Sequence, residues 1–260
     1  MKSKNLTMLV LFVLILIVYC GNDSEPPVYT TVVPPIEGAK LNFVGYVADT
    51  SFELKSDIYK FSRLFLTQQD SINGQPVYMY ISNNKRTKYY TDSDGDVWQY
   101  QLEDLSARLL AYGLKTDSAV VIQYKQPLLK TSRGKGTKWR VCIDTTFFAY
   151  DSEGKKQKIQ YYHYGEAKYD GWSDVFVQER RTVPYRCMNA FWPVLNTYII
   201  NHTSGDSIFV RKGNARQMFE PTLGSIKYTT DFTLKEVGKE PVVRKGTWEL
   251  ISKYIPDEEK

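Results

Sequence analysis

Three carboxylates at alternate positions, Asp92-Ser-Asp-Gly-Asp96, are the plainest cluster of hard oxygen donors in the chain. Calcium takes about six to eight such oxygens in flexible geometry, and Glu103 follows at a distance that suits a calcium loop. The glycine is misplaced for that purpose: Gly95 comes fourth, where an EF-hand turn needs it sixth. The flanks, Lys88-Tyr-Tyr-Thr91 and Val97-Trp-Gln-Tyr-Gln-Leu102, read as strands, with Trp98, Tyr100 and Leu102 on one face and Val97, Gln99 and Gln101 on the other. The stretch therefore reads as a hairpin turn. Asp92, Asp94 and Asp96 stay as the candidate metal donors of a chain in which no metal site is expected.

Acid–base chemistry has one other set of candidates. Asp170 with Glu166 or Asp174 would give the carboxylate pair of a glycosidase, although carboxylates in solvated turns are the simpler reading. The two histidines are His163, in the strand-like Tyr161-Tyr-His-Tyr164, and His202, in a turn. Neither adjoins a nucleophile motif. Gly-x-Ser-x-Gly, His-Glu-x-x-His and phosphate-loop patterns are missing from the sequence. The expectation is a non-enzyme with no catalytic residue and no cofactor.

The remaining reactive side chains are Cys20, Cys142 and Cys187. Cys142 and Cys187 lie in strand-like sequence, Trp139-Arg-Val-Cys-Ile143 and Tyr185-Arg-Cys-Met188. A bridge between them, stabilising by about 4 kcal/mol in the chain-entropy model, is one expectation; two buried free thiols are the other. Cys20 ends an apolar run from Met8 to Val18 that follows Lys2 and Lys4. A basic start and a short apolar stretch are the anatomy of an export signal. The run falls short of the roughly 20 apolar residues that span a bilayer.

Ile17-Val18-Tyr19-Cys20 resembles the lipobox of bacterial lipoproteins, apart from Tyr19, which stands where that family has a small residue. The resemblance implies cleavage before Cys20, acylation of that cysteine, and a membrane lipid as partner. Gly21 rather than aspartate implies outer-membrane sorting, with the periplasmic or surface face left open. Asp23 and Glu25 are a faint surface-export pattern. Three acyl chains at about 0.8 kcal/mol per buried methylene would hold firmly.

The elements behind these residues are strands. The chain has 260 residues, a net charge of +5, and 20 Tyr, 12 Phe and 5 Trp. That charge is too mild for nucleic acid as a partner, and the aromatics suit half-buried pleated surfaces. Residues 20–38 hold Pro26-Pro27 and Pro34-Pro35 and read as a tether. Residues 39–255 read as an all-β domain, with a possible subdomain boundary near 126–138, and 256–260 as a charged tail. Asn73-Gly74 signals a hairpin, and Asp170-Gly-Trp-Ser173 a turn. A short helix is expected between Leu102 and Tyr112, on Leu105, Leu109 and Leu110. Many short strands at near-regular spacing predict an antiparallel sandwich or partly open barrel, with two packed β subdomains as the variant.

The segment from Pro127 to Tyr254 resembles a loosely defined group of uncharacterised exported β-proteins of Bacteroidota and relatives. The likeness rests on Pro127-Leu128 with Gly136-Thr-Lys-Trp139, on Pro221-Thr-Leu-Gly-Ser-Ile-Lys227, and on Asp94-Gly-Asp-Val-Trp98 upstream. It implies a β fold and the lipoprotein class, and no activity.

The function expected is a membrane-anchored, non-catalytic binding or structural module of the envelope, with a protein or glycan partner. The alternatives are a carrier holding a lipid or other apolar ligand in an open barrel, and a carbohydrate-binding or carbohydrate-active protein. A carrier needs an apolar lumen that opens at a mouth. A sugar binder needs exposed coplanar aromatics in a groove.

Overall fold

The structure, a computed structural model, describes residues 37–49, 57–72, 75–82 and 85–256. The lipobox, Cys20, the tether up to residue 36 and the Asn73-Gly74 turn lie outside the described residues, as does the tail from 257.

Twelve strands and one short helix follow one another: β1 (Lys40–Asp49), β2 (Asp57–Ile72), β3 (Gln75–Ser82), β4 (Lys85–Thr91), β5 (Val97–Asp104), α1 (Ser106–Ala111), β6 (Val121–Leu129), β7 (Lys138–Tyr150), β8 (Lys156–Val177), β9 (Arg180–Asn201), β10 (Asp206–Glu220), β11 (Gly224–Glu236) and β12 (Val242–Tyr254). They form a single antiparallel sheet in the order β6-β5-β4-β3-β2-β1-β12-β11-β10-β9-β8-β7. Every strand therefore pairs with its sequence neighbours, except at one place. The first and last strands close on each other, from Lys40 opposite Tyr254 to Asp49 opposite Arg244. The sheet parts instead between β6 and β7, in the middle of the chain. Of the sandwich and barrel alternatives, the nearly closed barrel is the one observed.

The open seam explains a proline inside a strand. Pro127 stands in β6 opposite Trp98, where the register with β5 slips. Its carbonyl points to the seam and accepts a hydrogen bond from Trp139 Nε1 at 3.1 Å. A strand residue's N and C=O point to the same side, so the N–H that proline lacks is not missed by the β5 ladder. The same Trp139 bond stitches the seam at that end.

Both ends of the barrel are covered. At one, α1 lies over the lumen: Leu105 and Leu109 are fully buried, with Leu114, against Ile159, Ile199, Ile208 and Phe209. Helical spacing of Leu105 and Leu109 places both on one face. Leu110 departs from the expected stripe and is 59% exposed, because one further residue turns the side chain about 100° around the axis. At the other end the long β8–β9 hairpin reaches across to strands it does not neighbour. The Glu179 N–H donates to Leu250 O at 3.1 Å, and Lys227 Nζ to Phe176 O at 3.1 Å.

That hairpin overturns one expectation. Asp170–Ser173 is not a turn; β8 runs straight through it for 22 residues. The register with β9 shifts between Tyr169 and Trp172, and Gly171 has a φ of +86°. The glycine thus serves a bulge, where the left-handed conformation is cheap for it. Asn189 Nδ2 fixes the bulge by donating to Gly171 O at 3.1 Å and to Ser173 Oγ at 2.8 Å.

The expected cysteine bridge is also corrected. Cys142 and Cys187 are free thiols, the first exposed and the second buried. Cys142 stands opposite Tyr164 of β8, and Cys187 opposite Ser173. Those β8 positions are roughly 30 Å apart along an extended strand, whereas a disulfide needs Cα atoms within about 7 Å. Only half of the free-thiol alternative holds, since Cys142 is not buried. Burial pushes the Cys187 thiol well above its usual value.

Candidate functional site: the barrel lumen

Alternation places every second side chain of a barrel strand inside. In β5 the inner face is the glutamine face. Gln99, Gln101 and Glu103 line the lumen, together with Val97, while Leu102 on the other face is 63% exposed. In β2, Arg63 and Phe65 point in and Leu64 is 39% exposed. Ordinary amphipathic reasoning would have turned the leucines inward. The space these side chains enclose is a cavity of about 370 Å³.

Two clusters wall it. The first surrounds Arg63. Its guanidinium lies 4.7 Å from the Phe43 ring, 5.0 Å from Tyr80 and 4.7 Å from Trp248, and Nη1 donates to Ser225 O at 3.0 Å. Phe43 and Phe61 stack at 4.9 Å, with Trp248 edge-on to Phe43 at 5.2 Å. The rings hold the planar cation through their faces, and its rim stays available for hydrogen bonds.

The second cluster lies toward α1. Tyr161 Oη donates to Glu103 Oε2 at 2.6 Å, and Arg108 lies 3.5 Å from Glu103 Oε1. Thr197 Oγ1 accepts from Arg211 Nη2 at 2.9 Å and sits 3.0 Å from His163 Nδ1. Arg211 also lies 5.1 Å over the Phe232 ring. Burial lowers the His163 pKa to about 4, helped by the Arg211 charge, so the imidazole is neutral at pH 7. Burial raises Tyr124 to about 12, and Tyr161 is pushed up by burial and by the charge of Glu103. His163 Nε2 and Arg211 Nε are buried without a hydrogen-bond partner.

The sequence-derived candidates fall elsewhere. Asp92 and Asp96 are consumed by the β4–β5 turn. Asp92 Oδ1 accepts from the Asp94 and Asp96 N–H groups at 3.1 and 2.9 Å, and its Oδ2 from Trp98 Nε1 at 2.8 Å. Asp96 is buried, accepts from Thr131 N at 2.9 Å and lies 3.5 Å from Lys130 Nζ, tying the hairpin to the seam loop. The carboxylates thus turn to N–H groups and not to a common centre, and the described residues hold no group of three or more metal-type side chains. Glu166, Asp170 and Asp174 pair with separate cations: Arg140 at 3.1 Å, Lys168 at 3.2 Å with Arg216 at 3.4 Å, and Arg186 at 3.4 Å. His202 Nε2 sits 2.8 Å from Gln160 Oε1, in an exposed bond.

Tyrosines also stack outside the barrel. The Tyr162 and Tyr164 planes are 4° apart, but Tyr198 is tilted 41° from Tyr162. These three rings make no single flat platform for a sugar.

Fold and lumen together define a twelve-stranded up-and-down barrel, capped at both ends, with a mixed aromatic and polar chamber inside. The outward positions of β8 include Lys158, Glu166, Lys168 and Asp170, which is not the apolar band of a membrane-spanning barrel. No protein-family model, no curated protein and no solved structure matches the chain.

Proposed function

We propose that this chain is a non-catalytic binding protein of the cell envelope, tethered by lipid on Cys20, that carries a small ligand inside its barrel. The observation that carries the reading is the inverted β5 face. Gln99, Gln101 and Glu103 line a cavity of about 370 Å³ while Leu102 faces out. Gln99, Gln101 and Glu103 are half-buried on that inner face, so their amide and carboxylate groups stay available to a ligand in the chamber, as the few placed polar groups of a binding site do. The volume falls within the usual range of about 300–1,000 Å³ for small-molecule sites, which combine apolar walls with a few placed polar groups.

Full-length Cys20→Ala protein has no acyl chain of its own to enter the lumen. It should bind the neutral probe N-phenyl-1-naphthylamine saturably, at one site, with quenching of the emission from Trp192 and Trp248, which line the chamber. Probe fluorescence that rises linearly without saturation would refute the carrier. The anchor is tested by intact mass: protein extracted from membranes should begin at a triacylated Cys20, and the alanine variant should lose that mass and leave the membrane. An unmodified wild-type N-terminus sinks the anchor and leaves the lumen reading standing.

A further inference from the structure

We infer that the lumen selects its ligand by an acid group: it takes an amphiphilic carboxylic acid, with the carboxylate against Arg211 and His163 and the apolar body along the aromatic wall toward Arg63. The inference rests on the reading of the lumen as a ligand chamber and specifies what that chamber accepts.

Charge is the first ground. Arg63 and Arg211 both line the cavity, and no carboxylate among the described residues forms an ion pair with either. The lumen's own carboxylate, Glu103, is engaged by Arg108 and by the Tyr161 hydroxyl. Two half-buried guanidiniums thus line the chamber without a counter-ion among the described residues. Buried charges are ordinarily paired, and an anionic ligand would complete both the charge and the geometry.

Unanswered donors are the second ground. Arg211 Nε is buried and has no acceptor, and neither does His163 Nε2, on a side chain only 3% exposed. Arg211 Nη2 already donates to Thr197 Oγ1. Thr197 Oγ1 also sits 3.0 Å from His163 Nδ1; with the threonine hydrogen donated to Nδ1, the neutral imidazole carries its own hydrogen on Nε2. Two nitrogens without a partner, linked through one shared hydroxyl, thus belong to side chains that line the cavity. A guanidinium edge and a single imidazole N–H match the two oxygens of a carboxylate; a phosphate would ask for more donors. Phe65, Tyr80, Trp192, Phe219, Tyr228 and Trp248 supply the apolar wall.

The test displaces N-phenyl-1-naphthylamine from full-length Cys20→Ala protein with dodecanoate, 1-dodecanol and dodecyl phosphate, which share one chain length. Dodecanoate should displace the probe at a concentration roughly tenfold or more below that of dodecanol, as one charge-assisted contact implies. Adding Arg211→Gln should erase that advantage, so that acid and alcohol displace the probe at similar concentrations; Arg211→Lys should restore part of it. His163→Gln, on which the test stands if the arginine variant fails to fold, should reduce the advantage too. Equal displacement by acid and alcohol overturns the acid specificity while the chamber survives. Dodecyl phosphate displacing about tenfold better than dodecanoate overturns the choice of carboxylate. Failure of the probe itself to bind removes chamber and specificity together.

Discussion

Leu109→Ala should lower the unfolding free energy by about 3 kcal/mol, whereas Leu110→Ala, one residue on, should change it by less than about 0.5 kcal/mol. Leu109 is fully buried in the cluster that seals one end of the barrel, among Leu105, Ile159, Ile199 and Phe209. Removing its Cγ and two methyl groups leaves a void that the rigid strand ends around it cannot fill, so a cavity cost adds to the lost transfer energy. Leu110 points away from the same helix and is 59% exposed. Urea unfolding of both variants beside the parent measures the contrast. Equal losses would mean that α1 does not plug the barrel as described.

The second large effect is a dependence on acid. His163 is held neutral, with its pKa lowered from 6.5 to about 4 by burial first and then by Arg211. The unfolded chain therefore binds a proton between those values that the folded chain refuses. Stability rises with pH wherever the unfolded state holds more protons, so this contribution is complete above pH 6.5 and is lost as pH falls toward 4. Between pH 7.5 and 4.5 the loss from this one group is about 2.5 kcal/mol, at about 1.36 kcal/mol per pH unit. Glu236 and Asp151, held low by a hydrogen bond from Lys239 and by the Lys155 N–H respectively, add losses of the same sign at lower pH. His163→Gln cancels only the histidine share. Its unfolding free energy should therefore fall by about 2.5 kcal/mol less than the parent's over that interval. Identical acid limbs in parent and variant would show that the ring protonates freely in the folded state.

Local signals were legible where local geometry decides. The Asp92–Asp96 hairpin follows from Gly95 and the side chain of Asp92, which satisfies the turn's own N–H groups. The strands follow from alternation, and the short helix from Leu105 and Leu109. Alternation also assigned Gln99 and Gln101 to one face of β5 and Trp98, Tyr100 and Leu102 to the other. It could not tell which face was inside. A single strand fixes only the parity of its side chains, and the inner face is chosen by how twelve strands curl and where the sheet is closed.

The same limit hid the site. Arg63 alternates with Leu64 and shares a face with Phe65, a pattern that a surface strand would show equally well. Arg211 and His163 are separated by two strand crossings in sequence and meet only through Thr197. The turn expected at Asp170–Ser173 failed for a related reason. Glycine marks a turn or a bulge equally well, and the partner strand carrying Asn189 decides between them. Sequence alone determined an all-β chain and hairpins such as the one at Asp92–Asp96, because these depend on neighbours within a few residues. Tertiary structure decided that β1 pairs with β12, that the gap falls at β6 and β7, that two arginines face inward, and that the cysteines lie far apart. Each of those depends on contacts between residues distant in the chain, which only sheet closure brings into register.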